Sequence, residues 1–236
     1  MRLIWIKLIN SVIDRHCGGK DRPVHFDVLG TVPELDRLTH GFVDIRNEFQ
    51  GLLPNKEQIP KYHEIDKGQK YISGTIDSDK SWRTFMFVSV MRANEINMSL
   101  CPRTAALVRS VPNVVNAFFS ILDPGKSIPA HEGGYRGILR YHLALEVPVI
   151  NPPRMRVKDH IHQWREGEAF FFDDSWQHEV VNEAPTLRAV LIVDVLRPLP
   201  LLPHALNAAA VWWMSRSNLY EKVNEAIERE AQKMAR

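Results

Sequence analysis

The chain has 236 residues, with 30 basic and 28 acidic side chains giving a formal charge of +2. That near balance, with no concentrated basic stripe, argues against a nucleic-acid partner. With 44% hydrophobic and 25% charged residues, the composition excludes intrinsic disorder. Cys17 and Cys101 are the only cysteines, so neither a disulfide framework nor a C-x-x-C metal knuckle is available, and a reducing cytoplasm is the simplest compartment.

The first segment, MRLIWIKLINSVI, is apolar but interrupted by Arg2, Lys7 and Asn10. It is too short to span a bilayer and is followed by no small-residue cleavage site, which leaves a packed amphipathic helix or, in a sharper reading, an interfacial membrane anchor. Residues 1 to about 110 mix short helical and strand-like patterns broken by Gly18, Gly19, Pro23, Gly30, Pro33, Pro54 and Pro60, as expected of a shell. From Val114 to Asp194 the runs become short and β-rich: VVNAFFSIL, GILRYHLALEV, EAFFF, EVVN and LRAVLIVDV, separated by the turn clusters DPGK, NPP, REGE and NEAP. Such a series predicts an antiparallel sandwich or barrel. Residues 199–236 follow as an apolar, Pro-rich stretch ending in Trp212, Trp213 and Met214, and then a charged helix with Leu219, Val223, Ala226 and Ile227 at helical spacing. The domain reading is one unit over 1–198, with its β core at about 80–198, plus that C-terminal apolar segment and helix. No repeat or flexible linker interrupts it.

Two of the ten histidines stand out by position. His131 follows SILDPGKSIPA and precedes the flexible EGG, and His178 opens a strand after FFFDDSWQ. Imidazoles on neighbouring strands suit an iron(II) ion that must keep positions open for an oxoacid and dioxygen. Most such sites add a carboxylate two residues after the first His, but that place is Gly133. Glu132 is adjacent, yet in an extended chain it points to the opposite face, so a three-residue triad is not supported. Arg188 lies on the apolar strand LRAVLIVDV, where a buried guanidinium needs an anion. Its structural alternative is a salt bridge to Asp173, Asp174 or Asp194. Alternation within ILRYHLAL puts Arg140 and His142 together on one face.

The segments HEGGYRGILRYHLALEVP and WREGEAFFFDDSWQHEVVNEAPTLRAVLIVDVLRP, with CPRT and SILDPGKSIPAH before them, resemble the catalytic domain of the aspartyl/asparaginyl β-hydroxylase family over roughly residues 80 to 198. The resemblance implies a mainly β double-stranded β-helix, or jelly roll, of the cupin type. It also implies an iron(II)- and 2-oxoglutarate-dependent dioxygenase with O2 as second co-substrate, in which His131 and His178 bind the metal. Ser120, Arg140, His142 and Arg188 would then hold 2-oxoglutarate. Members that act on aspartyl or asparaginyl residues also lack the usual carboxylate, so Gly133 agrees with that branch, whereas the lipid-acting members usually retain H-x-D. Asp173 and Asp174 read as turn groups or as groups orienting His178, and Tyr135 and Arg136 as weak candidates for substrate contact.

The expected reaction is hydroxylation of an unactivated C–H bond. The first expectation for the substrate is the β-carbon of an aspartyl or asparaginyl residue in a peptide or protein. The alternatives are a lipid acyl chain, of lipid A or ornithine-lipid type, with peripheral membrane contact, and a free amino acid. A non-catalytic cupin-like binding protein is the reading from a different class. Oligomeric state is not legible in the periodicity.

Overall fold

A computed structural model describes residues 2–235, with side chains from residue 5 onward. The elements in chain order are α1 (Arg2–Cys17), α2 (Val28–Thr31), α3 (Asp36–His40), α4 (Phe42–Leu52), α5 (Tyr62–Ile65), α6 (Lys70–Gly74), β1 (Trp82–Ser89), β2 (Arg92–Ala93), α7 (Glu95–Leu100) and α8 (Pro102–Arg109). The strands β3 (Val114–Leu122), β4 (Ile128–His131), β5 (Ile138–Glu146), β6 (Arg154–Val157), β7 (His160–Gln163), β8 (Ala169–Phe172), β9 (His178–Val181) and β10 (Arg188–Leu196) follow. Two helices, α9 (Leu201–Ser215) and α10 (Asn218–Met234), end the described chain.

The strands form two antiparallel sheets, ordered β2-β1-β3-β10-β5-β8 and β4-β9-β6-β7. From β3 onward the first strand pairs with the last, the second with the second to last, and the chain folds across itself between sheets. This is the double-stranded β-helix, or jelly roll. The five β-rich runs of the sequence correspond to β3, β5, β8, β9 and β10. β1 lies ahead of them and is buried along its whole length, because both faces of the larger sheet are covered and alternation is lost.

One face of the larger sheet carries Phe85, Phe87, Phe119, Leu139, Tyr141, Leu143, Leu191 and Val193, packed against Leu35, Leu38, Ile45, Phe49 and Val108 from the helical shell. Its other face carries Phe118, Leu122, Ala144, Val190 and Ile192. These meet Ile128, Met155, Val157 and Val180 of the smaller sheet, with Val223, Ala226 and Ile227 of α10 in the same cluster. The shell is fixed by a helix-end contact. The Glu48 carboxylate accepts hydrogen bonds from the Arg103 and Thr104 backbone N–H groups and from the Thr104 hydroxyl, at 2.7–2.8 Å. An anion thus sits at the N-terminus of α8, where unpaired donors and the helix dipole favour it.

Phe119 is fully buried and packs on Phe49, Phe85 and Phe87 with ring centroids 4.9–6.1 Å away. Phe119→Ala is expected to cost about 3–5 kcal/mol in urea-induced unfolding. A loss below about 1 kcal/mol, the level of an ordinary surface substitution, would contradict this placement of the core.

Candidate functional site

The inner face of the larger sheet is unusual in carrying charge. Register places Asp194 opposite both Asn116 and Arg140, and Ile192 opposite His142. Strand alternation then puts Arg188, Asp194, Arg140, His142 and Ser120 on the side facing the smaller sheet. There His131 and His178 are themselves register partners across β4 and β9, with ring centroids 4.2 Å apart.

The two histidines are held in the same way. Nδ1 of His131 lies 2.8 Å from the Pro129 carbonyl oxygen, and Nδ1 of His178 lies 2.8 Å from that of Trp176. A carbonyl only accepts, so each Nδ1 must carry the hydrogen and each Nε2 must present its lone pair. Burial, with His131 nearby, pushes the His178 imidazole down to about 3, and burial also lowers His131. Both rings are neutral at neutral pH, the form that ligates a metal.

Arg188 is 1% exposed. Its guanidinium carbon lies over Trp164, 4.0 Å from the ring centroid, and its Nε and Nη1 have no hydrogen-bond partner. The salt bridge to Asp173, Asp174 or Asp194 does not form, because those carboxylates are engaged elsewhere. Burial alone draws the guanidinium down to about 9, which still leaves it cationic at neutral pH. His142 is buried with both ring nitrogens unpartnered, and burial followed by the nearby Arg188 keeps it neutral. The Ser120 hydroxyl accepts from Trp82 Nε1 at 2.9 Å and keeps its own hydrogen to donate. Unpaired donors around a buried cation make a receptor for an anion.

Other expectations change. Arg140 shares the inner face with His142 but is not a free cation. Its Nε and Nη2 bind the Asp194 carboxylate at 2.7 and 2.9 Å, and its Nη1 lies 3.3 Å from Asp174. Asp173 is the turn group of the two readings: clasped by Arg22 at 3.0 Å and Arg197 at 2.5 Å and tied to Ser175, it fixes the turn before His178 without contacting the ring. Asp174 meets the His178 ring through its backbone and not through its side chain. Its carboxylate stands beside Gly133, where an added Cβ would meet it at 2.9 Å, and burial raises it to about 7. Asp174 therefore fills the space that a side chain at 133 would need. Tyr135 donates to Asn207 of α9 at 2.6 Å while lining a cavity beside the inner face, and Arg136 pairs with Asp14 of α1. Among the described residues no group of three or more His, Cys, Asp or Glu is placed to hold a metal ion.

A cavity of about 220 Å³ opens beside this face and reaches Gly133, Arg140, Asp174 and Asp194. Its walls include Ile65, Met86, Val90, Phe118 and Ile138, and α10 supplies Val223 and Ile227. Sequence reasoning missed Trp164, the platform under Arg188, and did not assign α10 to the cavity. The helical spacing of Val223 and Ile227 was the available signal, because it marks a buried stripe.

Replacing Arg188 with Met separates an anion receptor from a structural cation. The ligand-free variant is expected to gain roughly 1–3 kcal/mol, since a buried unpaired charge is removed. The wild type should gain about 2.7 kcal/mol from 2-oxoglutarate at 100 times its Kd, and the variant none, both read by thermal unfolding. A destabilised variant together with a wild type indifferent to 2-oxoglutarate would contradict the receptor.

The sequence pattern of the Aspartyl/Asparaginyl beta-hydroxylase family matches residues 39–198. An ornithine lipid ester-linked acyl 2-hydroxylase of Rhizobium tropici is 37% identical over 170 residues, covering 72% of this chain and 59% of that protein. Human aspartyl/asparaginyl beta-hydroxylase is 32% identical over 122 residues, covering 50% of this chain and 16% of that protein. Mouse aspartate beta-hydroxylase domain-containing protein 2 is 34% identical over 184 residues, covering 72% and 52%. The chain thus spans about three fifths or less of each of these relatives. An RmlC-like cupin of Methanocaldococcus jannaschii with a double-stranded beta-helix fold aligns over 40% of this chain and 77% of its own, at 14% identity and a TM-score of 0.30. With the family pattern covering most of the chain, including every strand from β1 to β10, the protein belongs to the aspartyl/asparaginyl β-hydroxylase family.

Proposed function

We propose that the protein is an iron(II)- and 2-oxoglutarate-dependent hydroxylase in which Nε2 of His131 and Nε2 of His178 hold the metal and Arg188 grips the distal carboxylate of 2-oxoglutarate. The observation that carries this is the pairing, in one β sandwich, of two neutral imidazoles whose Nδ1 atoms are already engaged with a buried guanidinium that no side chain neutralises. That donor set fits the group. Iron(II), 2-oxoglutarate and O2 together supply oxidative decarboxylation of the oxoacid to succinate and CO2, with one oxygen atom inserted into an unactivated C–H bond.

The protein's own part is placement. Arg188 presents its unpaired Nε and Nη1, and the Trp164 ring backs the guanidinium. The Ser120 hydroxyl and one N–H of neutral His142 add donors without adding charge. Gly133 leaves room for the Asp174 carboxylate, so β4 adds no third metal ligand to the two histidines. The Asp194 carboxylate neutralises Arg140, which keeps a second strong cation from competing with Arg188 for the co-substrate.

The apolar side of the cavity supports an acyl chain as the substrate. A substrate aspartyl carboxylate would face Asp66 and Asp194, with Arg140 already paired, whereas a methylene chain would pack on the apolar side formed by Ile65, Met86, Phe118, Val223 and Ile227, away from the polar side formed by Gln69, Asn116 and Asp194. Gly133 speaks for the aspartyl branch, but it concerns the metal and not the wall that meets the substrate. The ornithine-lipid hydroxylase is also similar over more of this chain than the human enzyme is.

The test is O2-dependent succinate formation with a product heavier by one oxygen, measured against ester-linked acyl lipids and against aspartyl and asparaginyl peptides. Turnover is expected on the lipid. Val223→Trp is expected to lower kcat/KM by ~10-fold or more, about 1.4 kcal/mol, while leaving stabilisation by 2-oxoglutarate intact. A hydroxylated peptide without a hydroxylated lipid would overturn the acyl assignment, and a wild type that binds no 2-oxoglutarate would overturn the reaction itself.

A further inference from the structure

The apolar stretch after β10 is a 15-residue helix, α9, and only one of its faces is used. Asn207, Ala210, Val211 and Met214 are buried. Val211 and Met214 cluster with Val90, Val115 and Leu196, with Tyr135 and Ile138 against them. The opposite face carries Leu201, Leu202, Ala205, Leu206, Ala209, Trp212 and Trp213, all exposed. At 100° per residue they fall in one sector of about 140°, along a helix roughly 22 Å long. Leu201 is 83% exposed, Leu202 81%, Trp213 68% and Trp212 50%. A contiguous apolar strip of this kind on a folded protein marks an interaction surface.

Charge identifies the occupant. No Asp or Glu occurs between Asp194 and Glu221, nor before Asp14, so α9 and the start of α1, which packs beside it, present no carboxylate. On the outer face of α9 the charged group is basic, while Glu34 lies across a pocket beside Leu201 at the other end of the helix. Arg216 ends the exposed face and lies over Trp212, 3.7 Å from its ring centroid, and Lys7 is exposed on α1 beside Leu8, itself 63% exposed. Tryptophans and leucines with a cation among them and no carboxylate on the same helix suit the boundary between anionic headgroups and acyl chains. No helix is long and apolar enough to cross a membrane among the described residues, so the helix would lie in the plane of the surface.

We infer that the outer face of α9 docks on an anionic phospholipid bilayer, with Leu201, Leu202, Leu206, Trp212 and Trp213 inserted at the level of the upper acyl chains and Arg216 and Lys7 at the headgroups. The inner face of the same helix packs on Val90, Tyr135 and Ile138, which also line the cavity. Docking therefore sets the cavity wall one helix diameter from the lipid. That consequence rests on the acyl-chain reading above; the docking does not, and it is measured without turnover.

The experiment is co-sedimentation of the full chain with vesicles of phosphatidylcholine, alone or mixed with phosphatidylglycerol, alongside light scattering of the free protein. Binding is expected to favour the mixed vesicles, to weaken with added salt, and to be accompanied by a blue shift of tryptophan emission. Trp212→Glu combined with Trp213→Glu should abolish it with unchanged thermal stability, since both side chains face solvent. Arg216→Gln should reduce only the preference for anionic vesicles, by roughly 5-fold. Three outcomes would overturn the docking: no binding by the wild type, equal binding by the double variant, or a wild-type dimer that the double variant dissolves while vesicles remain unbound. Absent lipid turnover with intact vesicle binding would overturn the substrate reading alone.

Discussion

A guanidinium enclosed in a β sandwich with no carboxylate to meet it is the constraint around which this molecule is arranged. Of the buried or nearly buried arginines, Arg22 and Arg197 share Asp173, Arg83 reaches Glu57 and the Ile59 carbonyl, and Arg140 is bound by Asp194 and Asp174. Arg188 alone among these keeps Nε and Nη1 unpartnered. Leaving a buried charge uncompensated costs on the order of 3–5 kcal/mol, a large share of the stability of a domain. The cation is retained because β10 is central in its sheet, hydrogen-bonded to β3 on one side and β5 on the other, and the Trp164 ring holds the fork from below. The strand cannot rotate its charge outward without inverting Val190 and Ile192 as well.

The remaining polar groups of the interior are sorted so that this cation stays unspent. No carboxylate acts on it, Asp173 and Asp194 being held by other arginines, and each nearby imidazole is neutral because burial and neighbouring cations disfavour its protonated form. Two of those imidazoles are aimed by backbone carbonyls two residues upstream, a device that needs no further side chain. The folding problem and the binding problem thus share one solution: Asp173 fixes the segment before β9 to Arg22 near the N-terminal helices and to Arg197 at the end of β10, and so fixes the turn that presents His178.

How much of this was legible in the sequence depended on how local the signal was. The long strands announced themselves by β-branched and aromatic runs between turn clusters, and the alternation in ILRYHLAL placed Arg140 and His142 on the inner face, where register puts them. The four-residue strands β4, β6 and β7 lack the apolar or β-branched run that marks the equally short β8 and β9. In the C-terminal stretch PLPLLPHALNAAAVWWM, the prolines masked a helix, although Pro203 stands in its first turn, where no backbone N–H is required. Ion pairs across long separations, such as Arg22 with Asp173 and Arg140 with Asp194, leave no local trace, and for that reason the sequence suggested Arg140 as a free ligand and left Asp173 open between a turn group and a group orienting His178. Gly133 could be read as a missing carboxylate, but not as the vacancy that admits Asp174.

The central claim is that His131, His178 and Arg188 form one receptor for iron(II) and 2-oxoglutarate. Its most direct measurement is the visible metal-to-ligand charge-transfer band formed when 2-oxoglutarate is titrated anaerobically into the iron(II)-loaded protein. The band is expected to rise saturably in the wild type, to vanish in His178→Ala, and to need far more 2-oxoglutarate in Arg188→Met. A wild type with no band, or a band of the same intensity and midpoint in both variants, would contradict it.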